Sequence, residues 1–122
     1  MDCLFCKIID KQIPAEIVYE DDLVLAFKDI SPQAPFHALV IPKKHIATLN
    51  DITEEDRAVV GHMVMVAGKI ANEQGFAEAG YRTVFNCNQD GGQTVYHIHL
   101  HVLGGKAMGW PPYQETLKQP IN

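Results

Sequence analysis

The run His97-Ile98-His99-Leu100-His101-Val102-Leu103 is the tightest constraint this chain places on its own fold. Polar and apolar residues alternate without a break, and successive side chains of a strand point to opposite faces. Tyr96 to Leu103 therefore reads as a strand, ended by Gly104-Gly105. Ile98, Leu100 and Val102 face one way, and three of the six histidines face the other. Thr, Lys or Glu would serve a merely solvated face equally well. Three aligned imidazoles point to chemistry.

Two chemistries use such a row. Neutral imidazole is a good zinc ligand. At about 3.3 Å per residue, however, His97 and His101 have α-carbons roughly 13 Å apart, so one ion meets two of the three more readily than all three. Alternatively, one imidazole is a nucleophile. With an unperturbed pKa of about 6.5 it is largely unprotonated near neutrality. A carbonyl that holds Nδ1–H leaves Nε2 free to attack phosphorus, and the N–P bond formed is labile to water. The loop just upstream fits this second use, because Gly91-Gly92-Gln93-Thr94 offers closely approachable backbone N–H groups, an amide and a hydroxyl.

The rest of the chain suits one α+β domain of 122 residues, long enough to bury a core without staples. Cys6 to Ile9 suggests a short helix stopped before Pro14. Val18 to Glu20 and Val24 to Lys28 read as strands joined by a turn at Asp21-Asp22. A proline-stiffened loop, Ile30 to Pro35, leads to the strand His37 to Ile41, stopped by Pro42. Glu54 to Gln74 is the long helix, with Thr53 as N-cap, Asp56 at N3 and Gly75 as C-cap. Its apolar residues, among them Val59, Val60, Met63, Val64, Val66 and Ile70, cover more than the single stripe one sheet would bury, which suggests a partner subunit. Tyr81 to Cys87 completes a five-stranded, mainly antiparallel sheet with one long and one short helix.

The formal charge of −5, without a run of one sign, argues against nucleic acid or an anionic membrane as partner. No stretch approaches the length of a membrane span, and Met1-Asp2-Cys3-Leu4 lacks the regions of a signal peptide. A reducing cytoplasmic setting is the expectation, with Cys87 a small packing residue.

Taken together, these residues resemble the histidine triad family, with signature His-φ-His-φ-His-φ-φ (φ apolar), every position of which is filled here. The likeness covers essentially the whole chain and is greatest to the branch of purine nucleoside phosphoramidases. Besides the triad it includes Phe27 to Pro35, His37 with Leu39 to His45, Gly91-Gly92-Gln93, and Gly104-Gly105 followed by Trp110-Pro111-Pro112. The resemblance implies a homodimer acting on a purine nucleotide, with no cofactor needed for catalysis. It implies a covalent nucleotidyl intermediate on His99, supported by His37 and His101. Asn86, Gly92, Gln93 and Thr94 would line the phosphate side, with Thr94 standing where many relatives have Ser. Asp29 would take the ribose hydroxyls, and Phe5, Ile8, Phe27, Ile30 and Leu39 would flank the base.

The Cys3-x-x-Cys6 pair by itself reads as helix-turn residues, one of them buried. Some histidine triad proteins pair such cysteines with two histidines around structural zinc, and the matching positions are His45 and His97. The expected reaction is release of AMP and an amine from an adenosine 5′-phosphoramidate-like substrate. Its rivals are cleavage or transfer on dinucleoside polyphosphates, metal-dependent hydrolysis, and nucleotide binding without turnover. The stretch from about 106 to 122 is expected to be an extended C-terminal arm.

Overall fold

Thr53 opens the long helix in the computed structural model, which describes residues 2–112. Its N–H and its hydroxyl both donate to Asp56 Oδ2, at 2.9 and 3.2 Å. This closes a 3₁₀ turn over Glu54–Asp56, and the α-helix proper, α2, follows as Arg57–Gln74. Gly75 ends it at φ +86°, the left-handed conformation that glycine adopts without a Cβ penalty. A shorter helix, α1, spans Leu4–Ile9 and is capped by Cys3, whose Sγ accepts the N–H of Cys6 at 3.3 Å.

Five strands of the described residues form one sheet: β1 (Ile17–Glu20), β2 (Val24–Lys28), β3 (Phe36–Pro42), β4 (Arg82–Val84) and β5 (Leu100–Gly104). Their order is β1-β2-β3-β5-β4, and every neighbouring pair is antiparallel. The β1–β2 turn is held by Asp21, whose Oδ1 accepts the N–H groups of Leu23 and Val24.

Helix α2 buries one stripe, Met63, Val66, Ala67, Ile70 and Ala71, against Val24, Ala26, Ala38, Val40, Leu100 and Val102 of the sheet. The opposite face of β2 and β3 carries Leu25, Phe27, Leu39 and Ile41 under Cys3, Phe5 and Ile8. Both faces of the central strands are thus covered, which is why all seven residues of β3 are buried. Val64 and Met65 lie outside the stripe, 54% and 72% exposed.

Two strands are shorter than the sequence suggests. The last strand starts at Leu100 rather than Tyr96, and Arg82–Val84 replaces Tyr81 to Cys87. The cause is Pro42, opposite the missing segment. It has no N–H to donate to a ladder, and its carbonyl accepts the His97 side chain at 2.8 Å. The chain flares away there, and Ile98 N–H finds Ile46 O instead, at 2.8 Å. Since β4 pairs only with β5, its pairing stops at Val84 opposite His101. The alternation survives the flare: Ile98, Leu100 and Val102 belong to the core under α2.

Candidate active site

The histidine face is split by that flare. His97, fully buried, turns toward α1, whereas His99 and His101 line an open cavity of about 290 Å³. Its walls are apolar: Phe5 and Ile8 of α1, Ile13 and Ala15 beyond it, Phe27 and Leu39 of the sheet, and Val95. Asp29, Ile30 and Thr94 stand at its edge, Ile30 wholly exposed. Phe5 meets the His99 ring edge-on, with centroids 5.1 Å apart.

The hydrogen bonds fix the tautomers. A carbonyl only accepts, so His99 Nδ1–H donates to His97 O at 2.8 Å and its Nε2 keeps a free lone pair. Gln33 N–H donates to His37 Nδ1 at 3.0 Å, which puts the His37 proton on Nε2. That Nε2–H donates to His101 Nδ1 at 2.8 Å, leaving His101 with its own proton on Nε2. Asp29 Oδ2 lies 3.6 Å from His37 Nε2, and Asp29 Oδ1 accepts Ser31 N–H at 2.8 Å. Burial pushes all these imidazoles down: His101 to about 4, aided by the neighbouring His99 and His37, and His37 and His99 in the same direction, with the Asp29 charge partly offsetting. All are neutral at pH 7.

Among the described residues, two groups of side chains have the proximity a metal needs. One is Cys3, Cys6, His45 and His97; the other is Asp29, His37 and His101. In the first, His97 Nδ1 lies 3.4 Å from Cys3 Sγ, 3.6 Å from Cys6 Sγ and 3.2 Å from His45 Nδ1, and Cys6 Sγ lies 3.5 Å from His45 Nδ1. Tetrahedral zinc, with bonds of about 2.3 Å to sulfur and 2.05 Å to nitrogen, gives S···N edges of about 3.6 Å and an N···N edge of about 3.3 Å. The His97 Nε2–H bond to Pro42 O directs the Nδ1 lone pair inward, as an outer partner of a metal ligand does. Cys6, pushed up to about 11 by burial and by Cys3, is where a divalent cation would favour the thiolate. The residues fit zinc. The second group does not fit as well, because His37 must keep its Nε2 proton while Nδ1 accepts from Gln33, so Nε2 offers no lone pair.

The glycine loop is tied together by its own hydrogen bonds. Gly92 N–H and Gln93 N–H donate to Gln89 O and Asn88 O, both at 3.0 Å, so these two amides are turned inward. The Gln93 side chain is buried: its Nε2 donates to Ala47 O and Val95 O, and its Oε1 accepts Asn88 N–H. Asn86 Nδ2 donates to Gly91 O at 2.7 Å. Gln93 and Asn86 brace the loop, and of the four expected phosphate-side residues only Thr94 reaches the cavity wall. Sequence reasoning missed Gln33, Pro42 and Ala47, which act through backbone atoms and leave no side-chain signature. His62, assigned to no motif, meets Asp21 Oδ2 at 2.6 Å and ties α2 to the β1–β2 turn.

The family described as "Scavenger mRNA decapping enzyme C-term binding" matches residues 2–110. The chain is 55% identical over 108 residues to a purine nucleoside phosphoramidase of Escherichia coli K12, covering 88% of this chain and 91% of the relative. It is 56% identical over 111 residues to a HIT-like protein of Synechococcus elongatus, covering 91% and 96%. A HIT family hydrolase from Legionella pneumophila superposes with a TM-score of 0.90 at 56% identity, covering 92% of this chain and all of that one. With its triad filled and its sheet, helices and cavity arranged as described, the chain belongs to the histidine triad family.

Proposed function

We propose that this single-domain hydrolase cleaves the P–N bond of adenosine 5′-phosphoramidate-like substrates through a nucleotidyl–His99 intermediate. One observation carries the reading: His99 Nδ1–H is held by His97 O while Nε2 stays unprotonated beside an apolar cavity edged by a carboxylate. The base lies against Phe5, Ile8, Phe27 and Leu39, and Asp29 accepts from the ribose hydroxyls. His99 Nε2 attacks the α-phosphorus, the P–N bond breaks, and the amine departs. The Nδ1–H bond to His97 O steadies the imidazolium that forms. His101 Nε2–H is placed to donate to a phosphoryl oxygen, where charge accumulates. Water then attacks the phosphorus, releasing AMP and freeing His99.

Zinc held by Cys3, Cys6, His45 and His97 serves structure: four protein ligands leave no open position for substrate. It would anchor α1, and with it the base wall. Homodimerisation through α2 is supported by the exposure of Val64 and Met65, and by Gly61, beside which a Cβ would meet no atom within 4 Å. Sedimentation should give a dimer that Val64→Glu weakens. Protein acting in the cytoplasm would meet nucleotide conjugates there; none of the described helices is long and apolar enough to cross a membrane.

The decisive experiment measures AMP release from an adenosine phosphoramidate by wild type and His99→Ala, each with and without a chelator. Turnover should vanish with His99 while AMP binding persists, and the wild type in chelator should still turn over, more slowly and with weaker AMP binding, while it stays folded. Near-normal turnover by His99→Ala would end this reading.

A further inference from the structure

Cys3 and Cys6 sit one turn apart at the start of α1 and are joined by an N–H···S contact of 3.3 Å. Their sulfurs lie within 4.8 Å of each other. Helix geometry puts such α-carbons about 5 Å apart, inside the range a disulfide spans. Cys3 is buried, whereas Cys6 is partly open to solvent. No other cysteine is near: Cys87 lies beside the glycine loop and appears in neither metal-sized group.

We infer that Cys3 and Cys6 form an oxidation site: hydrogen peroxide converts them to a disulfide, and this unlocks the wall of the nucleotide cavity. The inference rests on the zinc site and the nucleotide-binding cavity proposed above. The Cys6 thiolate attacks the peroxide oxygen, giving a sulfenic acid and releasing hydroxide. The Cys3 thiolate then attacks the Cys6 sulfur, forming the S–S bond and expelling a second hydroxide. Two electrons pass from the sulfurs to the peroxide, two protons from solvent make two waters, and the metal ion leaves for want of its thiolates.

The consequence follows from what the cluster holds. Without a cation, His45 and His97 keep at most one hydrogen bond between their Nδ1 atoms, 3.2 Å apart, and nothing ties the pair to both sulfurs at once. His97 is the residue whose carbonyl orients His99, and α1 carries Phe5 and Ile8 of the cavity wall. Loss of the ligand set therefore disturbs the base wall and the nucleophile at once.

The test uses the zinc-loaded full chain, treated with hydrogen peroxide and then with reductant plus zinc. The expected result has four parts. The peptide holding Cys3 and Cys6 loses two hydrogen atoms, zinc appears in a chromogenic chelator, and α1 amides exchange faster with deuterium. AMP also binds roughly tenfold more weakly, about 1.4 kcal/mol, as the base wall loosens. Reductant with zinc reverses all four. Cys87→Ser should respond like wild type. Cys6→His, which keeps a metal ligand but cannot form the disulfide, should hold its AMP affinity through peroxide. The inference is overturned if the disulfide forms while α1 exchange and AMP affinity stay fixed. It is equally overturned if the thiols go to sulfinic acid without a disulfide, or if Cys6→His loses affinity as wild type does. Protein that binds AMP under this control yet never hydrolyses a phosphoramidate would sink the activity proposed above and leave this inference standing.

Discussion

Acid should weaken this fold through His101, and the size of the effect can be worked out. Burial and the neighbouring imidazoles hold His101 down at about 4, against an ordinary 6.5. Between those values the unfolded chain binds a proton that the native site refuses, so stability rises with pH and is lost as pH falls. For full burial the gap corresponds to about 3 kcal/mol by pH 4. The ring borders an open cavity, where water screens part of that penalty, so roughly 2 kcal/mol is the better figure. The variant His101→Gln keeps an oxygen that can accept from His37 Nε2–H but has nothing to titrate. Urea melts at pH 7 and pH 4.5 should show wild type losing roughly 2 kcal/mol more than the variant over that interval. Losses from carboxylates common to both proteins cancel in the comparison. Parallel stability curves for the two proteins would refute the reasoning.

Other perturbations reach different parts of the site. Phe5 is 4% exposed and touches Phe27, His97 and His99; Phe5→Ala should cost about 3–5 kcal/mol in a denaturant melt and weaken AMP binding by calorimetry. Gly91→Ala would place a Cβ 2.4 Å from Cys87 O; the loop must shift, with an expected loss of roughly 1–3 kcal/mol in urea and slower AMP release. Stripping zinc with a chelator at pH 7.5 should lower the Tm by roughly 5–10 °C, and restoring the metal should recover it.

Much of this could be read from residue pattern, and the failures share a cause. Thr53, Asp56 and Gly75 declare the ends of α2 because capping depends on side chains and glycine, both visible in sequence. The histidine face was legible for the same reason, as alternation is a property of consecutive residues. What could not be read was backbone partnership. Nothing about Gln33 announces that its N–H holds His37, nor about Ala47 that its carbonyl takes the amide of Gln93. The division of the triad depends likewise on where β3 stops, and Pro42 marks that stop only once the strand opposite it is known.

Three histidines on one face do different work because each has a different partner for its other nitrogen. His97 gives its Nε2 proton to Pro42 O, which leaves Nδ1 as a donor atom for the sulfur cluster. His99 donates its Nδ1–H to His97 O, which leaves Nε2 unprotonated for the attack proposed above. His101 accepts at Nδ1 from His37, which leaves an N–H to offer an anion. In a regular strand through Tyr96, Ile98 would exchange backbone bonds with Pro42, while the His97 carbonyl would face β4 and be less free to hold His99. Pro42 brings no N–H to Ile98, the chain flares, and with β4 ending at Val84 the His97 carbonyl is left free to orient His99. The same flare carries His97 toward Cys3 and Cys6. The end of both β5 ladders thus sets the histidine of the cysteine cluster apart from His99 and His101 while keeping them joined through a single peptide carbonyl.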